Sequence, residues 1–147
     1  MSITQNKKAY HNYEILEKTE AGIILFGFEV KAIRSNHINL EGSYIRTDKS
    51  NKIYLVNANI KPLQQDNIPK DYIETRSREL LLNKKEIKNL KEQTETIGNT
   101  LIPLSVYNKN GLIKIEIALA RGKKKYDKRQ SIKKREADIE ISRVFKR

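Results

Sequence analysis

The sequence predicts a mainly β fold: a small antiparallel barrel of about six strands with attached helices, followed by a strongly basic C-terminal tail. Three observations lead there. The β-rich runs are joined by short turn signals and never alternate with long helical stretches, which argues against a parallel sheet built from βαβ units. Helical apolar spacing is confined to two internal places and a thin terminal stripe. The formal net charge of +12 over 147 residues is also uneven: residues 121–147 hold 12 basic and four acidic side chains, a surplus of eight, against 18 and 14 before them. The length suits one ordinary domain with an appendage, so we expect a barrel over 1–120 and a tail over 121–147.

Each element has its own local reason. Loose alternation from Tyr13 passes into the continuous apolar run Ile23-Ile24-Leu25-Phe26, which reads as two strands. Residues 27–34 switch to helical spacing, with Phe28 or Val30 and Ile33 on one side and Lys31 and Arg34 on the other, ending near Ser35-Asn36. Residues 43–47 and 53–57 flank a polar five-residue stretch, a hairpin signature. Residues 58–78 contain Pro62 and Pro69 without sustained periodicity and read as a long loop. Asn83 followed by Glu86 marks a helix start, with Ile87, Leu90, Thr94 and Ile97 on one face until Gly98-Asn99. Residues 100–107 and 112–120 are β-rich runs joined through Asn110-Gly111, a pair suited to the positive φ values of a tight turn. Beyond Arg121 the composition lacks core-forming residues, and we expect disorder in free solution. Ala137, Ile141 and Phe145, with Val144 beside them, form a thin stripe on a charged helix that Ser131 could cap, expected to fold on a partner.

Composition excludes much chemistry. Without cysteine there is no disulfide, thiolate metal site or cysteine nucleophile, and His11 and His37 are too few for a histidine-rich cage. The longest apolar stretch, residues 21–28, is far short of the roughly 20 residues a spanning helix needs, and the N-terminus does not read as a signal peptide. These features imply a cytoplasmic protein. No nucleophile elbow, phosphate-binding glycine loop or metal motif appears, so neither catalysis nor a cofactor is expected. Glu29 reads as a helix-start acid favoured by the dipole, the alternative being a carboxylate with a raised pKa. His11, among Lys7, Lys8, Tyr10 and Tyr13, belongs either to an RNA-contacting cluster or to a solvated arm. The run from Arg121 to Arg129 embeds Tyr126, and cations that neutralise phosphates beside a ring that stacks on bases favour RNA over a plain charged tail. The stripe is too thin for a membrane helix. These residues reach an RNA-binding barrel with a basic tail, and no further.

Taken together, the local strings resemble the SsrA-binding protein (small protein B) family. The resemblance runs through Asn6-Lys7-Lys8-Ala9-Tyr10-His11-Asn12-Tyr13, Glu20-Ala21-Gly22-Ile23 and Gly27-Phe28-Glu29-Val30-Lys31-Ala32-Ile33-Arg34. It continues through Asn39-Leu40-Glu41-Gly42-Ser43-Tyr44, residues 78–87, Pro103-Leu104-Ser105-Val106-Tyr107 and Ala120-Arg121-Gly122-Lys123-Lys124-Lys125-Tyr126-Asp127-Lys128-Arg129. It implies an oligonucleotide-binding-type barrel with flanking helices, one face of which holds the tRNA-like domain of transfer-messenger RNA. The contacts it implies are Asn6, His11, Glu20, Leu81 and Lys114, with Lys7, Lys8, Lys31 and Arg34 as supporting cations.

The resemblance also implies that the tail enters the decoding region and empty messenger channel of a stalled 70S ribosome, becoming helical against small-subunit ribosomal RNA. Gly122, Lys123, Lys124, Tyr126, Asp127, Lys128, Arg129, Lys133, Lys134 and Arg135 are the tail residues it points to, with Tyr126 for stacking and Asp127-Lys128-Arg129 for the decoding centre. Elongation factor Tu would ride on the same RNA, and a monomer without enzymatic activity is expected. Phe28 and Arg121 depart from common family residues without changing the charge logic, and residues 64–77 and 140–147 match less specifically.

Overall fold

Alternation in the last long strand sets the architecture. Along Leu112–Gly122, Ile113, Ile115, Ile117 and Leu119 are buried on one side and line the main core, while Lys114 and Glu116 face the other. The structure, a computed structural model, describes residues 2–63 and 68–123. In chain order it holds β1 (Ser2–Gln5), α1 (Lys7–Asn12), β2 (Tyr13–Ile23), α2 (Gly27–Arg34), β3 (Ile38–Asn39), β4 (Tyr44–Thr47) and β5 (Ile53–Val56). Then follow β6 (Asn59–Ile60), β7 (Arg78–Leu81), α3 (Lys84–Thr94), β8 (Asn99–Lys109) and β9 (Leu112–Gly122).

Seven strands form one antiparallel sheet in the order β1-β8-β9-β2-β7-β5-β4, and β3 pairs with β6 separately. At the far edge β4 comes back against β8, so the sheet curls into a barrel around Ile45, Ile53, Leu55, Leu80, Leu101, Ile115 and Ile117. The β8–β9 turn forms as expected, with Asn110 at φ 52° and Gly111 at φ 77°. In the β4–β5 hairpin, the Asp48 carboxylate accepts N–H bonds from Ser50 (2.9 Å) and Lys52 (3.0 Å), and Asn51 takes a left-handed φ of 59°.

A second, smaller core lies on the outer face of the sheet. There Ala9 of α1 packs over Ile102, Leu104, Ala118 and Ala120, flanked by Tyr13 and Ile15. This is why β9 is buried on both faces from Ile117 to Ala120. The small residues let the helix lie close to the strands, and the larger β9 side chains turn inward.

Several expectations need correction. Nine strands are present among the described residues, rather than about six. Residues 13–26 make one strand ending at Ile23, because Ile24 onward leads into α2. The stretch 58–78 is not all loop: it contains β6 and opens β7, whose Arg78 is buried. Residues 2–12 form a strand and a short helix where no element was expected. β9 runs two residues beyond Ala120, to Gly122. The helix capped by Asn83, whose Oδ1 accepts from the Glu86 N–H at 2.8 Å, ends at Thr94, and Ile97 is 97% exposed rather than on the buried face.

Candidate nucleic-acid interface

The cross-strand register assembles a strip on the outer face from residues far apart in sequence. Leu81 of β7 stands opposite Gly22 of β2, Gly22 opposite Lys114 of β9, and Lys114 opposite Tyr107 of β8. In the next outward row Glu20 stands opposite Glu116, and Glu116 opposite Ser105. Gly22 is small for a reason: a Cβ there would meet the Leu81 Cβ at 3.2 Å. Leu81 is 54% exposed, an apolar side chain in an otherwise polar row.

Two acids directly opposite each other repel, and the strip supplies compensation. The Tyr107 hydroxyl donates to Glu20 Oε2 at 2.5 Å, and Lys109 Nζ lies 3.2 Å from Oε1. The Tyr107 hydrogen bond, against some desolvation, and the Lys109 and Lys114 charges hold the Glu20 carboxyl below its ordinary range. Desolvation and the facing carboxylate push the Tyr107 phenol well up, so it stays a donor. Glu20 is therefore an ionised, oriented acceptor at the surface, suited to base amino groups or ribose hydroxyls.

The same outer face continues under α1. Lys18, two residues before Glu20, places its ammonium 5.6 Å from the centre of the Tyr10 ring. On α1, Lys7 and Lys8 are exposed and His11 is half-buried. Lys8 forms an exposed ion pair with Glu41, beside an open cavity of about 390 Å³ between α1 and residues 41–44. Asn6, expected as a contact, also has a role within the fold. It is buried, its Nδ2 donates to the Pro103 carbonyl at 3.0 Å and its N–H to the Leu104 carbonyl at 2.7 Å, so it fastens α1 to β8. Lys31 and Arg34 lie on α2, where Arg34 Nη2 donates to the Gly111 carbonyl at 2.9 Å, at the hairpin tip three residues from Lys114.

Glu29 is fully buried. It pairs with Arg76 and Arg78, the latter with Nε 2.9 Å from Oε2, and accepts from the Tyr72 hydroxyl at 2.7 Å and the Phe26 N–H at 2.9 Å. Burial pushes this carboxyl up, but Arg76, the Phe26 N–H, Tyr72 and Arg78 together bring it below the ordinary value. The raised-pKa alternative is thus overturned, and the helix-start acid doubles as the anchor of residues 72–78.

Of the tail residues, Gly122 lies within β9 opposite Tyr13, and Lys123 is held against α1, its N–H bonded to the Asn12 carbonyl at 2.9 Å. These two belong to the barrel rather than to a separate tail. Lys124, Tyr126, Asp127, Lys128, Arg129, Lys133, Lys134, Arg135 and the terminal stripe lie outside the described residues. Sequence reading missed Tyr107 and Lys109. Their i, i+2 spacing puts them on one strand face, but only the register brings Glu20 to them.

No helix among the described residues is long and apolar enough to cross a membrane. A barrel with a strip of cations, an ionised acceptor and an exposed apolar side chain on one face is of the nucleic-acid-binding class. The family model described as SmpB protein matches residues 3–147, and the chain belongs to that family. It is 50% identical over 145 residues to an SsrA-binding protein of Thermoanaerobacter pseudethanolicus, covering 98% of this chain and 91% of the relative. To an SsrA-binding protein of Geobacillus kaustophilus it is 46% identical over 144 residues, covering 98% and 92%. A chain of a solved structure, "tmRNA-SmpB: a journey to the center of the bacterial ribosome", matches with a TM-score of 0.68 and 41% identity, covering 83% of this chain and 85% of that one.

Proposed function

We propose that the chain is the RNA-binding adaptor of trans-translation: it binds the tRNA-like domain of transfer-messenger RNA and delivers that RNA to stalled ribosomes. The observation that carries this reading is the outer strip, where Leu81, Lys114 and Glu20 converge from three strands, with Lys18 on the same strand as Glu20 reaching the Tyr10 ring of α1. Lys7, Lys8 and Lys114 meet phosphates, Glu20 accepts from base or ribose donors, Leu81 packs on a sugar or base, and His11 adds a ring at the edge. Lys31 and Arg34 support the hairpin side, and Asn6 acts by seating α1. The C-terminal segment, with Tyr126 and Asp127-Lys128-Arg129, reads the decoding centre and the empty messenger channel. Elongation factor Tu accompanies the same RNA, the site of action is the cytoplasm, and the protein works as a monomer that catalyses no reaction.

The test is binding of the purified chain to the isolated tRNA-like domain, beside a structured control RNA of equal length, across a salt series. Preference for the tRNA-like domain that persists as salt rises is expected. Equal binding with a steep salt slope would leave only a general basic RNA binder.

A further inference from the structure

We propose that Lys123 is a positioning residue that fixes where the C-terminal segment leaves the barrel, by closing the C-terminus of α1. A helix of six residues leaves its last carbonyls without intrahelical partners. Here the Ala9 carbonyl accepts from the Tyr13 N–H, the Asn12 carbonyl accepts from the Lys123 N–H at 2.9 Å, and the Tyr10 carbonyl accepts from Lys123 Nζ at 3.1 Å. An ammonium at this end also meets the negative pole of the helix. Lys123 opens a run of three lysines, residues that ordinarily stay solvated, yet it is half-buried.

The other end of α1 is closed by Asn6 on the Pro103 and Leu104 carbonyls, and the middle is seated by Ala9 on the outer core. The short helix is thus pinned at three points, and the last pin is the residue from which the C-terminal segment departs. The β2–β9 ladder delivers it there, since Gly122 pairs with Tyr13 immediately beforehand. The consequence rests on the adaptor reading above: the helix that carries Lys7, Lys8 and His11 toward RNA is also the origin of the segment that probes the ribosome, so the two are held in one frame.

The chain has no cysteine, so the protein accepts spin labels at Asn89→Cys on α3 and Gly122→Cys beside the clasp, where a Cβ meets nothing within 4 Å. The expected result is a narrow distance distribution that Lys123→Met broadens at least twofold and Lys123→Arg, which can still donate to Tyr10, leaves narrow. Peptide tagging on stalled ribosomes should fall several-fold in the Met variant and stay near the original rate in the Arg variant. A broad distribution in the original chain, or one that Lys123→Met does not change, overturns the clasp. Lost tagging at unchanged width would mean instead that Lys123 touches ribosomal RNA. A broadened distribution with full tagging overturns the functional consequence. Failure of the adaptor reading shows separately, as no preference of the original chain for the tRNA-like domain, and leaves the label distances to judge the clasp.

Discussion

Glu29 and Glu20 are built from the same chemistry, and burial gives them opposite work. Each carboxylate accepts from a tyrosine hydroxyl and pairs with cations, and each is held below its ordinary pKa. Glu29 is inside, fully enclosed, with Arg78 beside it equally buried and Arg78 itself donating to the carbonyls of Ala58 (2.7 Å) and Glu74 (2.8 Å). All five N–H groups of Arg78 are used within the fold, on Glu29, Tyr72 and the carbonyls of Ala58, Glu74 and Arg76, so the cluster holds the 72–78 segment on α2. Glu20 is outside, where its partners Tyr107 and Lys109 orient it without covering it. The first arrangement stabilises the barrel, and the second keeps an acceptor ready on its surface.

The sharpest way to break this comparison is to remove one buried partner. Arg78→Met should cost about 3–5 kcal/mol, because it takes the fully buried one of two arginines from a buried carboxylate and leaves the Ala58 and Glu74 carbonyls without their donor. Urea unfolding monitored by circular dichroism measures this. Lys109→Met, removing the exposed partner of Glu20, should leave the urea midpoint where it was. If the two variants were equally stable, burial would not be what separates the glutamates.

Acid distinguishes them next. The folded pKa of Glu29 lies below its unfolded value of about 4.5. The unfolded chain therefore takes up the proton first as pH falls. The stability contributed by Glu29 is fully present above about pH 4.5 and disappears as pH drops through the lower folded value. A series of urea midpoints from pH 7 down to pH 3 should show this loss in the original chain and a shallower one in Glu29→Gln. Equal slopes would mean that the arginine cluster does not hold the carboxylate ionised.

On the outer strip the effects should appear in RNA binding and not in stability. Lys114→Met should weaken binding to the tRNA-like domain and reduce the slope of log affinity against log salt by about 0.7–0.9, the signature of one lost phosphate contact. Glu20→Gln should weaken binding roughly tenfold at an unchanged slope, since a carboxylate that accepts from bases or ribose releases no counterions. A slope that moved with Glu20 and not with Lys114 would reverse the assigned roles.

Much of the fold was legible because its signals are local. The alternation of Ile113, Ile115 and Ile117, the Asn110-Gly111 turn and the Asn83 cap each lie within a few residues, and each stands where the sequence puts it. What escaped was set by distant partners. β7 and the short strands β3 and β6 carry little period of their own and exist because β2, β5 and each other offer edges. The terminal strand β1 depends likewise on β8, and Ile97 fits the helical spacing but falls after α3 has ended. At the site, the spacing of Tyr107 and Lys109 was visible, but their meeting with Glu20 across 87 residues is a property of the register. Asn6 shows the converse, for nothing in its basic string reveals the bond it makes to the Pro103 carbonyl, 97 residues away.

The smallest expected effect tests the strip most finely. At Gly22 the backbone lies outside the left-handed region, so alanine meets no conformational strain and restricts the unfolded chain, a gain of about 0.4–1 kcal/mol. Against this, the new Cβ would lie 3.2 Å from the Leu81 Cβ, tight enough to move that side chain by a few tenths of an ångström. The Leu81 Cβ is fixed to the backbone and cannot rotate away, but Leu81 is the last residue of β7, so the strand end can give that distance, and the two terms should nearly cancel in the urea midpoint. RNA would still see the change, since Leu81 is the apolar contact beside Lys114. Gly22→Ala is therefore expected to bind the tRNA-like domain a few-fold more weakly at an unchanged salt slope, with Leu81→Ala abolishing the difference between alanine and glycine at position 22. A Gly22→Ala chain that lost stability and kept its affinity would make the close approach of β2 and β7 a matter of folding, and would remove Leu81 from the interface.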